Sequence, residues 1–153
     1  MNSRSAGFSL LELMIIVALI ADIAVIAVPS FLRSRNLVQN TKFINDLRAA
    51  TSAFEMYAAE TNRYPANATQ GVIPTGMAVY LNGMDWPRAT PIGGRWDWEP
   101  SASNPARLGV RYISPAVGDD LRMIDIDRRT DNGILTNGAF RRLNSRLYLH
   151  IIE

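Results

Sequence analysis

The sequence predicts an α+β chain: one very long N-terminal helix, its first half apolar on every side, followed by a small antiparallel sheet. Three observations carry this prediction. Residues 8–32 are almost wholly apolar, with Glu12 and Asp22 as their only charges. Residues 30–61 keep helical spacing, since Leu37, Ile44, Leu47, Ala50, Phe54, Tyr57 and Ala58 recur at intervals of three, four and seven. Beyond them, short segments alternate apolar and polar side chains between clusters of Gly, Pro, Asn and Asp, as strands of a sheet do.

Composition narrows the function classes. The chain has 153 residues. Removing one membrane-length helix leaves roughly a hundred, which suits a single small domain. The formal net charge is +2, from 16 basic and 14 acidic residues, and that balance speaks against a dedicated nucleic-acid binder. With no cysteine there is no disulfide, no thiolate metal site and no cysteine nucleophile. His150 is the only histidine, and no serine carries an adjacent base–acid signature. These absences point away from an enzyme, and no catalytic residue is assigned.

The N-terminus is unlike a secretory signal. Such a signal has a basic start, a short apolar stretch and a small-residue cleavage site after that stretch. Here the small residues Ala6 and Gly7 precede the apolar run. A run of about 25 residues rises roughly 37 Å as a helix, enough to cross a bilayer's hydrocarbon core. On hydropathy alone it reads as an uncleaved anchor. Orientation is close to a tie, because Arg4 lies on one side and Arg33 and Arg35 on the other. Two residues break the rules for a plain anchor. Glu12 is an acid near the membrane entry, where insertion costs about 2.5–3.5 kcal/mol. Pro29 lacks an N–H and clashes with the preceding turn, so a kink or a local opening is expected over residues 25–28.

These residues resemble a family. The stretch Gly7-Phe8-Ser9-Leu10-Leu11-Glu12 is similar to the processing site of type IV pilins and type II secretion pseudopilins. The glycine–phenylalanine junction, the glutamate fifth in the chain that cleavage would leave, and a proline 21 residues beyond its new first residue all match. The resemblance is close from Gly7 to about Pro65 and fainter beyond. It implies a pilin-like fold and cleavage between Gly7 and Phe8 by a prepilin peptidase, followed by methylation of the Phe8 amine. It implies assembly through Glu12, which neutralises the new amine of a neighbouring copy, with Pro29 letting the helix reshape in a bundle. It further implies an inner-membrane assembly platform, a single-pass protein of the bacterial inner membrane, and a periplasmic head. The expected layout is a leader over residues 1–7, a membrane and assembly helix over 8–32, its extramembrane continuation over 33–61, and a head over 62–153. Asp22 departs from the family pattern. It is protonated in the bilayer, paired with Arg33 or Arg35 of a staggered neighbour, or simply tolerated.

Down the chain, Asn62-Arg63-Tyr64-Pro65 stops the helix, because a residue before proline avoids helical backbone. Residues 64–71 resemble the segment that follows the long helix in the major pseudopilin of type II secretion systems. A Pro- and Gly-rich connection follows, in which residues 76–81 suit one helical turn ended by Asn82-Gly83. Residues 95–99 (RWDWE) place Trp96 and Trp98 on one face. Residues 108–114 place Leu108, Val110 and Tyr112 on one side, and the two segments make a hairpin. Residues 147–152 (LYLHII) form a third strand with Leu147, Leu149 and Ile151 inward. Asp119-Asp120 cap a short helix reaching about Arg129, with Leu121 and Ile124 on its buried side and Gly133 past its end.

Candidate sites in the head are few. Asp125, Asp127 and Asp131, with Asn132, form an oxygen-rich stretch of the kind calcium uses, and the family resemblance adds a calcium-binding C-terminal loop. Against this, DIDRRTDNG is not the D-x-D-x-D-G spacing, and two acids two apart on a helix diverge. A capped helix end is the competing reading. Trp96 and Trp98 suit a core face better than a ligand stack. Arg128, Arg129, Arg141, Arg142 and Arg146 make either a basic patch or, with the nearby acids, a mixed-charge surface.

Overall fold

Helix α1 (Leu10–Thr61) opens on a reciprocal cap. The Leu11 N–H donates to Ser9 Oγ at 3.3 Å, and the Ser9 N–H donates to Glu12 Oε2 at 2.9 Å. This is the Ser-x-x-Glu capping box, which satisfies helix-end donors that lack an intrahelical acceptor. A computed structural model describes residues 8–100, 106–112 and 119–152. The chain divides into two compact units, the first ending at Val38 and the second beginning at Gln39.

In the first unit the helix carries its apolar side chains outward on all sides, from Leu10 through Ile26 to Leu32. Its best 18-residue window has a mean hydropathy of 2.7, so it is long and apolar enough to cross a membrane. The backbone stays helical through residues 25–28 and past Pro29. The local opening expected there is therefore absent from the single chain. Proline removes one donor, and the turns on either side keep theirs.

In the second unit the same helix becomes one-sided. Asn40, Phe43, Ile44, Leu47, Ala50, Ala53 and Phe54 are buried, at the three- and four-residue intervals of one face. Phe43, absent from the expected stripe, is central: its ring stacks on Trp96 at 5.3 Å. The helix ends as expected. Thr61 Oγ1 donates back to the Tyr57 carbonyl at 2.8 Å, and Asn62 takes a left-handed φ of 55°.

The sheet has four antiparallel strands in the order β1-β2-β4-β3: β1 (Arg95–Glu99), β2 (Ala106–Arg111), β3 (Phe140–Asn144) and β4 (Leu147–Ile152). The expected hairpin forms, with Trp96 opposite Val110 and Trp98 opposite Leu108. Residues 113 and 114 of its second segment lie outside the described residues. Helix α1 covers the tryptophan face, since Phe54 stacks on Trp98 at 4.0 Å. Gly109 sits where β2 meets β4, and a Cβ there would stand 2.0 Å from the Tyr148 carbonyl oxygen.

Two expectations for β4 and α2 (Asp119–Thr130) are corrected. On β4 it is Tyr148 and Ile152 that join the core cluster under α1, with His150 between them on that face. Leu147 and Leu149 are buried on the opposite face, and Ile151 is only half-buried. Both parities of LYLHII are apolar, so alternation could not choose the face. On α2, Leu121 is 75 % exposed, and Met123 and Ile126 are the core residues, with Ile124 at the margin. Strand β3 was not expected at all. Its residues after Phe140 are exposed, as suits a charged edge strand.

The connection between α1 and β1 is held by aromatic donors rather than by secondary structure. Trp98 Nε1 donates to the Pro65 carbonyl at 3.1 Å, Trp86 Nε1 to Val72 at 3.0 Å and the Tyr112 hydroxyl to Ile92 at 3.1 Å. Within it, the Leu81 N–H reaches the Met77 carbonyl at 2.9 Å, one helical turn that leads into Gly83 at φ 94°. Met77, Leu81 and Trp86 are buried in the core.

Candidate functional site

The sequence singled out two groups, the N-terminal end of α1 and the acids of α2. At the first, Phe8 is 70 % exposed, and Gly7 lies outside the described residues, so the junction between them has no described geometry. Glu12 is turned back along its own helix toward the Ser9 N–H. That contact places a carboxylate beside the helix start, where the positive end of the helix dipole favours it. Sequence reasoning missed this role, although the S-x-x-E spacing at Ser9 and Glu12 announces it. Pro29 and Asp22 are both exposed, and Asp22 has no ion pair with Arg33 or Arg35 within the chain.

At the second group the acids go separate ways. Asp125 joins a polar cluster that ties α2 to α1. Asn40, 3 % exposed, donates through Nδ2 to Asp125 Oδ2 at 2.9 Å and accepts at Oδ1 from Arg122 Nε at 2.7 Å. Arg122 Nη2 also donates to Gln39 Oε1 at 2.8 Å, and Arg129 pairs with Asp125 at 3.2 Å. Partial burial works to raise the Asp125 pKa, but the hydrogen bonds from Asn40 and Arg129, with the charges of Arg129 and Arg128, outweigh it and hold the carboxyl below its ordinary range.

Asp127 is different: its side chain is wholly buried, and neither oxygen completes a hydrogen bond. Burial first, and then the neighbouring charge of Asp131, push its pKa up; the backbone N–H groups of Ile134, Gly133 and Asn132 act in the opposite direction. Asp131 accepts from the Ala139 N–H, and Asn132 is bound to Asn137 and to the Ile134 N–H. Among the described residues no three His, Cys, Asp or Glu side chains converge as a metal site would require. Asp125, Asp127 and Asp131 are thus placed in three different surroundings, with Asp125 already committed to Asn40 and Arg129.

The arginines resolve into a mixed-charge surface. Arg129 pairs with Asp125 and Arg142 with Asp120, while Arg141 Nε donates to the Gly138 carbonyl. Asp120, expected as a helix cap, accepts from Arg142 and from the Tyr148 hydroxyl, and so ties α2 to the sheet.

No family model matches the chain. Among curated proteins it is 32 % identical over 62 residues to the type II secretion system core protein G of Aeromonas hydrophila, covering 40 % of this chain and 43 % of that protein. It is 29 % identical over 112 residues to PilA4 of Thermus thermophilus, a type IV wide pilus major component, covering 60 % of this chain and 86 % of that one. The chain spans well under half the length of the core protein G relatives it matches. Among solved structures, the major type IV pilin PilA1 from Clostridium difficile shares the fold. The TM-score is 0.50 at 17 % identity, over 76 % of this chain and 95 % of that one. An apolar N-terminal helix continuing onto a small antiparallel sheet, together with these relatives, supports the superfamily of type IV pilins and type II secretion pseudopilins.

Proposed function

We propose that this chain is a structural subunit that polymerises through its N-terminal helix into a periplasmic pseudopilus for type II protein secretion. The observation that carries the reading is the helix over residues 10–32, apolar on every face and exposed on every face. A surface of that kind is stable only in a bilayer or against other apolar helices. A filament subunit uses both, first as an anchor in the inner membrane and then as the core of a bundle.

In this reading a prepilin peptidase cuts between Gly7 and Phe8 and the Phe8 amine is methylated. The new cation forms one turn from Glu12, whose carboxylate loses the Ser9-centred cap if it turns to a neighbour's amine. The exchange offsets a cost: an acid at bilayer depth is tolerated when it is paired. Pro29 supplies the one place in the helix where a hydrogen bond is already missing. An inner-membrane assembly platform adds subunits, and ATP is hydrolysed by a cytoplasmic partner rather than by this chain. The protein is not an enzyme.

A type IV pilus is the second reading, favoured by the alignment that spans 86 % of the Thermus wide-pilus component. Mass spectrometry of the chain's N-terminus tests the shared part of both: a methylated Phe8 is expected, and a chain beginning at Met1 rejects processing. Secretion components encoded beside the gene favour the pseudopilus, and retraction components favour the pilus.

A further inference from the structure

The acids of α2 and the apolar helix leave one feature of the head unexplained. Between residues 47–55 of α1 and the end of the sheet formed by β3 and β4 lie two adjoining clefts, of 360 and 530 Å³, which share Thr51 and His150 in their walls. The narrower is walled by Leu47, Arg48, Thr51, Ser52, Thr130 and His150 and contains no acid. Its size lies at the lower end of the range of small-ligand sites, about 300–1,000 Å³.

The polar groups of that wall are unequally used. Thr130 spends its hydroxyl on the Ile126 and Asp127 carbonyls, at 3.0 and 3.3 Å. Thr51 Oγ1 and His150 Nδ1 are enclosed, with no partner. An enclosed N–H without an acceptor is rarer than an enclosed lone pair, which assigns the proton of the neutral imidazole to Nε2. Arg48 and Ser52, one helical turn apart on α1, make no hydrogen bond or ion pair among the described residues. Arg48, Ser52 and His150 thus line one cleft whose own wall holds no acid, while the carboxylates of Asp131 and Glu55 act on His150 from beyond it.

From this convergence we propose that the narrower cleft is an anion site, taking a carboxylate or phosphate carried on a small body, with Arg48, Ser52 and His150 as its donors. Leu47 supplies an apolar wall for that body. The wider cleft has a mixed wall, with Glu55 and Arg141 both lining it. The anion comes either from a small molecule in solution or from an acidic side chain of a neighbouring copy.

The test uses the full chain in detergent micelles, labelled with ¹⁵N at histidine. There is one histidine, so its imidazole signals need no assignment. Inorganic phosphate, and separately acetate, are titrated at fixed pH and ionic strength. A saturable shift at Nε2 is expected with at least one of them. Arg48→Gln removes a charge-assisted contact and weakens it about tenfold or more. Arg63→Gln, at an exposed position outside the cleft, leaves it unchanged. In assembled filaments, a signal that still titrates with phosphate assigns the anion to solution. One already shifted and insensitive to phosphate assigns it to a neighbour's carboxylate. Absence of any saturable shift in micelles, or equal weakening by Arg48→Gln and Arg63→Gln, overturns the proposal.

Discussion

One helix runs through two regions that solve the same problem in opposite ways. Over residues 10–38 its large apolar side chains are exposed. From Asn40 to Phe54 one face is buried to the last few per cent under a sheet that the same chain supplies. The local rule is identical, since Leu, Ile, Ala and Phe all favour or tolerate helix. What differs is where the cover comes from. In the proposed function the first region takes its cover from a bilayer or from neighbouring helices, whereas the second carries its own. Substitutions in the two regions should therefore fail in different assays.

The largest separation is expected for Glu12→Ala. Filament assembly, followed by shearing and sedimentation, is expected to fall to background, while the head's unfolding midpoint stays where it is. Assembly at the wild-type level would detach Glu12 from any assembly role and leave it only as the helix cap. Phe54→Ala reverses the pattern. Its ring is fully buried between Trp98 and Trp86, at 4.0 and 5.7 Å. The loss is expected to be about 3–5 kcal/mol in head stability, read by tryptophan fluorescence in denaturant, with membrane insertion unaffected. A loss under about 1 kcal/mol would mean that the core collapses around the gap.

Asn40→Ala acts at the start of the packed region. It strips a partner from both Arg122 and Asp125, and a loss of about 1–3 kcal/mol is expected. Arg122→Ala combined with it should cost less than the sum of the two single changes, because they share one network. If the two losses simply add, Asn40 is not the link.

The smallest effect concerns pH. The folded-state pKa of Asp127 lies above its ordinary value of 3.8, so the folded chain holds that proton more tightly than the unfolded chain. The contribution is present below the unfolded value and is lost as pH rises through the folded one. Asp127→Asn removes that part of the slope and is expected to match or exceed the wild type at neutral pH. A lower midpoint for Asp127→Asn at pH 7 would show that the carboxylate is ionised there and held by the Asn132, Gly133 and Ile134 N–H groups.

The sequence by itself determined the features that depend on short-range pattern. The membrane-length apolar run, the helix stop at Asn62 to Pro65, the hairpin that follows residue 95 with its tryptophans on one face, and the short helix after Asp119 all follow from spacing and turn chemistry. So does the Ser9–Glu12 cap, legible in its spacing though not read from it. Only the tertiary structure decided the face of β4, because LYLHII is apolar on both sides and alternation has nothing to choose between. The structure likewise placed Phe43 on Trp96, left Leu121 in solvent, and made an edge strand of the arginine-rich residues after Phe140. It also buried Asp127 without a partner, and set Arg48, Ser52 and His150 around one cleft from positions about a hundred residues apart. Contacts at that separation depend on how the elements pack, and a periodicity read along one element carries no information about its neighbour.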